Sequence, residues 1–117
     1  MQISLLSRTK KFAIDVWLFC DKLPTNRGFN NYVNQLLRCS SSVGANYRAS
    51  QRAKSPADFT YKLKIVEEEA DESLFFLELI KEINTNENLI EENSRLLNEG
   101  NEILSMIVAS IKKAKNN

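Results

Sequence analysis

Hydrophobic residues recur along this chain at the three- and four-residue steps of an α-helix, in four blocks separated by short polar stretches. The first block spans about Leu5 to Lys22 and stops before Leu23-Pro24, because the residue ahead of a proline is pushed out of the α region. Thr25-Asn26-Arg27-Gly28 reads as the loop that follows. A second helix begins near Asn30 and runs to Ala53, with Tyr32, Val33, Leu36, Leu37, Val43 and Tyr47 close to the helical repeat. Ser55-Pro56-Ala57-Asp58 is a helix start: serine as N-cap, proline at the first helical position, and an acid three residues after the cap. The third helix therefore spans 56–83. In it Phe59, Leu63, Val66, Ala70, Ser73, Leu77 and Ile80 alternate steps of four and three along one seam, and Tyr61, Ile65, Phe76, Leu79 and Ile83 form a second stripe. A fourth helix runs from about Asn86 to Ala114, with Ile90, Leu97, Leu104 and Ile111 spaced by seven and Leu89, Leu96 and Ile103 beside them. Asn93 and Gly100 weaken its first half.

Four amphipathic helices joined by short loops neutralise their apolar faces most simply around one core. The expected fold is all-α, a single antiparallel up-down-up-down four-helix bundle over residues 1–117. That length is enough to bury a core without disulfides or metal. Two segments ask for more than a generic bundle. The middle of the second helix, Cys39 to Ala45, is built of small residues, and Gly44 costs about 1 kcal/mol relative to alanine inside a helix, which implies close approach by a neighbour. The run Phe12 to Cys20 is apolar on nearly every side with only Asp15 interrupting it, whereas a monomer's surface helix keeps a polar face. Phe12, Val16, Trp17 and Phe19 are therefore the candidates for a subunit interface, and the chain is expected to self-associate.

Composition removes most chemistry. There is no histidine, so the commonest general base and metal ligand are both missing. The acidic run Glu67 to Glu72 suggests the carboxylate di-iron site of four-helix bundles, but that site draws nitrogen ligands from Glu-x-x-His pairs, and a solvated acidic face is the better reading. The three glycines are isolated and form no phosphate-cradling loop, and Ser40 to Ser42 lack a base to make a nucleophile. No catalytic residue, metal, cofactor or small-molecule substrate is expected. Cys20 and Cys39 belong to no CxxC pair and read as small buried apolar residues of a reducing compartment. No segment has the make-up of a signal peptide or a membrane span, so a cytoplasmic location is expected.

Charge is distributed unevenly although the net is only +1. Residues 1–64 hold 11 lysines and arginines against 3 acids, residues 65–111 hold 2 against 12, and the tail from Lys112 adds three lysines. Three readings stay open: compensation along neighbouring solvated faces, pairing between subunits, or a basic patch for a polyanion. The candidates for the patch are Arg48, Arg52, Lys54, Lys62 and Lys64, which can neutralise phosphates, with Tyr47 and Tyr61 able to stack on unpaired bases.

The stretches Gln35-Leu36-Leu37-Arg38 and Ser42-Val43-Gly44-Ala45-Asn46, then Ser55-Pro56-Ala57-Asp58-Phe59, then Glu69-Ala70-Asp71-Glu72-Ser73-Leu74, resemble the four helix bundle protein family. Some of its members are encoded in intervening sequences of 23S ribosomal RNA genes. The resemblance implies a protomer that closes into a ring, commonly a homopentamer, with no enzymatic activity. Relatives that serve as accessory variability determinants of diversity-generating retroelements look like nucleic-acid-binding partners of a reverse transcriptase. RNA, DNA or a nucleic-acid-handling protein are the implied partners. The positions the resemblance marks are Gln35, Arg38, Ser42, Asn46, Ser55, Phe59 and Glu72. Just after Asn46 this chain carries Ala49-Ser50 where the family usually has an acid. Ser55 and Asp58 are sufficiently explained as caps and Phe59 as core. Gln35, Ser42 and Asn46 share a helix face, which suggests a hydrogen-bonded layer inside the bundle, with Arg38 and Glu72 as a helix-to-helix ion pair within it.

Overall fold

The computed structural model describes residues 4–116, and its regular elements are all helical: α1 (Leu5–Cys20), α2 (Arg27–Ser50), α3 (Pro56–Ile83) and α4 (Ile90–Lys115), with one 3-10 turn at Glu87–Leu89 ahead of α4. Side chains fix the starts. Ser4 Oγ accepts from the Ser7 N–H, Asn26 Oδ1 from Phe29 N–H at 3.0 Å, and Ser55 Oγ from Asp58 N–H at 3.1 Å. Asn26 is the reason α2 begins before Asn30: the cap draws Arg27 and Gly28 out of the expected loop and into the first turn. At the other end α2 stops at Ser50 rather than Ala53. There the Ser50 hydroxyl donates to the Tyr47 carbonyl at 2.6 Å, and the Gln51 and Arg52 N–H groups fold back onto carbonyls of the last turn. α1 ends at Cys20 rather than Lys22, yet Leu23 still tucks its side chain into the core.

Helices adjacent in sequence are adjacent in space, and α4 returns to α1 across the thinnest of the four interfaces. Contacts run in opposite order along each neighbouring pair. Gly44 backs onto Thr9, whereas Val33 and Leu37 share a hollow with Trp17 and Asp21. Arg38 meets Glu72, while the Tyr32 ring lies 6.1 Å from that of Phe76. Gly100 faces Leu74, and Ala114 lies by Phe59. Arg8 reaches Glu99, and Asp15 reaches Arg95.

Gly44 has the packing reason its position implied. A β-carbon there would stand 3.3 Å from the Thr9 carbonyl oxygen, so α1 and α2 meet backbone to backbone. The α3 seam is buried as the pattern predicts from Leu63 to Ile80, with Phe59 half-buried and Leu74 added, while Tyr61 and Ile83 of the second stripe are exposed. In α4 the true seam is Leu89, Asn93, Leu96, Gly100, Ile103, Ile107 and Ile111. Ile90 is exposed, and the two residues that weaken the helix locally are core positions. Gly100 makes room for the side chain of Leu74, which a β-carbon would crowd, beside the ring of Phe12.

The first helix corrects an expectation. Phe12, Val16 and Phe19 are 2%, 0% and 1% exposed and belong to the protomer's own core, because they share the 3,4-spaced seam with Leu23. They are unavailable to a second subunit. Of the four interface candidates only Trp17, 58% exposed, stands on the outside, joined by Leu6, Ile14 and Leu18 at 46%, 51% and 49%. The apolar surplus of α1 is real but lies on other residues.

Asn93 is fully buried, and neither its amide nitrogen nor its oxygen has a hydrogen-bond partner among the described residues. An unsatisfied buried amide costs about 1–3 kcal/mol. Replacing it by leucine, Asn93→Leu, is expected to raise stability by about that amount, read as a higher urea midpoint with an unchanged slope. A destabilised variant would show that the amide is satisfied in solution.

Candidate nucleic-acid interface

Because neighbouring helices run past each other in opposite order, the last turns of α2, the first turns of α3 and the last turn of α4 meet at one end of the bundle. Between them lies an open groove of about 630 Å³, lined by Ser50, Gln51, Ala53, Lys54, Ser55, Pro56, Phe59 and Ala114. Of the sequence candidates Lys54 lines the groove, Arg52, Lys62 and Lys64 lie on the adjoining turns, and Arg48 lines a separate hollow with Leu6, Lys10 and Ala13 of α1. Lys112, Lys113 and Lys115 belong to the last turn of α4 at the same end. Within residues 48–64 and 103–116 the one carboxylate is Asp58. Its Oδ2 accepts from Lys62 Nζ at 2.8 Å and from the Lys54 N–H at 3.0 Å, and these bonds, led by Lys62, hold its carboxyl below the ordinary value. Among the described residues the other seven cations meet no carboxylate within salt-bridge distance.

A plain reading accounts for part of this. Arg48 and the three α4 lysines sit at helix C-termini, where cations offset the partial negative charge of the last carbonyls. That effect explains each placement separately but not the gathering of both helix ends at one end of the bundle. The two tyrosines separate. Tyr61 is 64% exposed, whereas Tyr47 is half-buried against the core, where burial pushes its hydroxyl up and packing occupies the ring face that stacking would need.

Along the middle of the bundle and toward its opposite end several cations are paired, while Lys22, Arg27 and Lys81 meet no carboxylate within salt-bridge distance among the described residues. Arg95 donates to Glu92 at 2.6 Å and to Asp15 at 3.1 Å, and Lys11 reaches Asp15 at 2.7 Å. Arg8 grips Glu99 through Nε at 3.0 Å and through a second nitrogen. The hydrogen bond from Arg95 lowers the Glu92 carboxyl below its ordinary 4.5. A depressed carboxyl contributes stability that is present above the unfolded value and lost as pH falls through the folded one. Wild-type protein is therefore expected to lose stability steadily below about pH 4.5, and Arg95→Gln should flatten that loss, measured as melting temperature against pH.

The motif positions behave as structural residues. Asn46 Nδ2 donates to the Ser42 hydroxyl and carbonyl, both at 2.9 Å, so this bond stays within α2. Gln35, Ser42 and Asn46 are half-buried on the flank of the helix, which corrects the expectation of a layer inside the bundle. Arg38 does pair with Glu72, at 2.6 Å, and adds Glu69 at 3.3 Å, but this fork lies on the surface, with Arg38 about half exposed. Ser55 caps α3 and Phe59 packs against the core. Cys20 and Cys39 are free and buried, and burial pushes the Cys20 thiol up to about 12. No helix among the described residues is long and apolar enough to cross a membrane.

A sequence model described as 23S rRNA-intervening sequence protein matches residues 1–109. The chain belongs to that family. A solved relative, a protein of unknown function from the S23 ribosomal protein family of Bacteroides thetaiotaomicron, superposes with a TM-score of 0.79 at 27% identity, over 93% of this chain and 99% of that one. No curated protein matches. Family membership places α4, matched from the sequence only in its pattern, within the family as far as residue 109.

Proposed function

We propose that the protein is a non-enzymatic, cytoplasmic, antiparallel up-down-up-down four-helix bundle that self-associates and binds nucleic acid through its basic end. The observation that carries the binding is the gathering of eight cations with one acid on the helix turns at one end of the bundle, where Lys54 lines the groove. Charge of this kind attracts phosphate without reading sequence, and its strength falls steeply with salt. Self-association rests on the exposed strip Leu6, Ile14, Trp17 and Leu18, flanked by hollows between α1 and α2 that a second copy can fill. A pentamer is the ring the resemblance implies. Each ring would carry its basic ends in equivalent positions, so modest contacts from several subunits add as avidity on one strand.

Mobility shift of RNA and DNA at low and moderate salt tests the binding. A shift at low salt that fades as salt rises supports it, and the absence of any shift at low salt removes it. The second reading, a scaffold for a protein partner without nucleic-acid binding, is favoured by the same apolar strip. It predicts indifference to polyanions together with an intact oligomer.

A further inference from the structure

We propose that the groove at the basic end seats an unpaired nucleobase, so that the nucleic acid this protein takes is single-stranded; this rests on the reading of that end as the polyanion site. The lining of the groove is mixed: Ala53, Pro56, Phe59 and Ala114 supply apolar surface, and Ser50, Gln51, Lys54 and Ser55 supply polar groups. A surface that served phosphates alone would need the polar part of this lining and not the apolar part. An unpaired base matches both parts: its flat faces are apolar, its edges give and accept hydrogen bonds, and its own phosphate carries the charge that the surrounding lysines and arginines attract. In a duplex the faces are already stacked, and only the backbone is left to meet the protein. A volume of about 630 Å³ falls within the range of small-ligand pockets, which combine an apolar lining with a few placed polar groups. Lys54, in the lining of the groove, meets no carboxylate within salt-bridge distance among the described residues, so the charge and the shape point to one occupant.

The test compares three probes of equal length by fluorescence anisotropy at low salt: a mixed-sequence DNA strand, the same strand with abasic sugars throughout, and its duplex. The intact strand is expected to bind at least about fivefold more tightly than the other two, since it alone offers an unpaired base to stack. Ala114→Gln and Ala53→Gln each extend a neutral, non-aromatic side chain over the groove. Either should bring that advantage to within about twofold while leaving affinity for the abasic strand unchanged, with melting curves confirming the fold. Equal binding of all three probes overturns the base pocket and leaves the cationic end standing. Failure of all three to bind overturns the reading of the end itself.

Discussion

Replacing Arg52, Lys54, Lys112, Lys113 and Lys115 together by glutamine is expected to weaken binding of a nucleic-acid strand at low salt by about a hundredfold or more. The dependence of log affinity on log salt should flatten by about three, since each phosphate contact on a single strand accounts for roughly 0.7 of slope. Among the described residues none of these five side chains holds a carboxylate, so removing them breaks no ion pair. The variant should melt close to the wild-type temperature, because relief of like-charge repulsion offsets the lost attraction of the three α4 lysines to the helix C-terminus. The control is Arg38→Gln, which dissolves the fork to Glu69 and Glu72 on α3 and lies well along α2 from the groove. It should leave binding intact. If the five-fold variant binds as wild type does, the basic end is a solvated helix terminus and no more.

Introducing glutamate on the outer face of α1, as Ile14→Glu with Trp17→Glu, is expected to reduce the solution mass to that of one 13.4 kDa chain. Both side chains are more than half exposed in the protomer, so the helical content should survive the change. In an assembly that buries them, two charges per subunit would be desolvated without partners, which is costly enough to dissociate it. The same variant should bind nucleic acid more weakly through lost avidity, while each subunit keeps its own groove. Light scattering decides the matter. A wild type that stays at 13.4 kDa at high concentration would remove the oligomer, and an unchanged mass in the double variant would move the interface elsewhere.

The α3 seam was legible because its cap, its proline and its 3,4 spacing agree, and the helix occupies the residues they mark. The α1 interface was misplaced for a physical reason. When nearly every position from Phe12 to Cys20 is apolar, periodicity does not say which side faces inward, and only the partners supplied by α2 and α4 select Phe12, Val16 and Phe19. Asn93 and Gly100 were discounted in α4 because a polar residue and a glycine look like defects in a helix. Folded, they lie on the seam, Gly100 because its missing β-carbon is where Leu74 comes in. The candidate site was half legible. Arg48 to Lys64 are close together along the chain, but Lys112, Lys113 and Lys115 are some fifty residues away and nothing in their spacing connects them to the others.

Local chemistry alone determined the four helices, most of their caps and the absence of histidine-based catalysis, since each depends on residues within a few turns of one another. Tertiary structure decided where charge ends up. Along the chain the cations form a long basic half and a short tail. Contacts between the helices bring the ends of both together and leave most of the acids along the middle of the bundle and beyond it. The groove and the basic end around it therefore exist only in the fold, because they are assembled from three segments that no local interaction brings together.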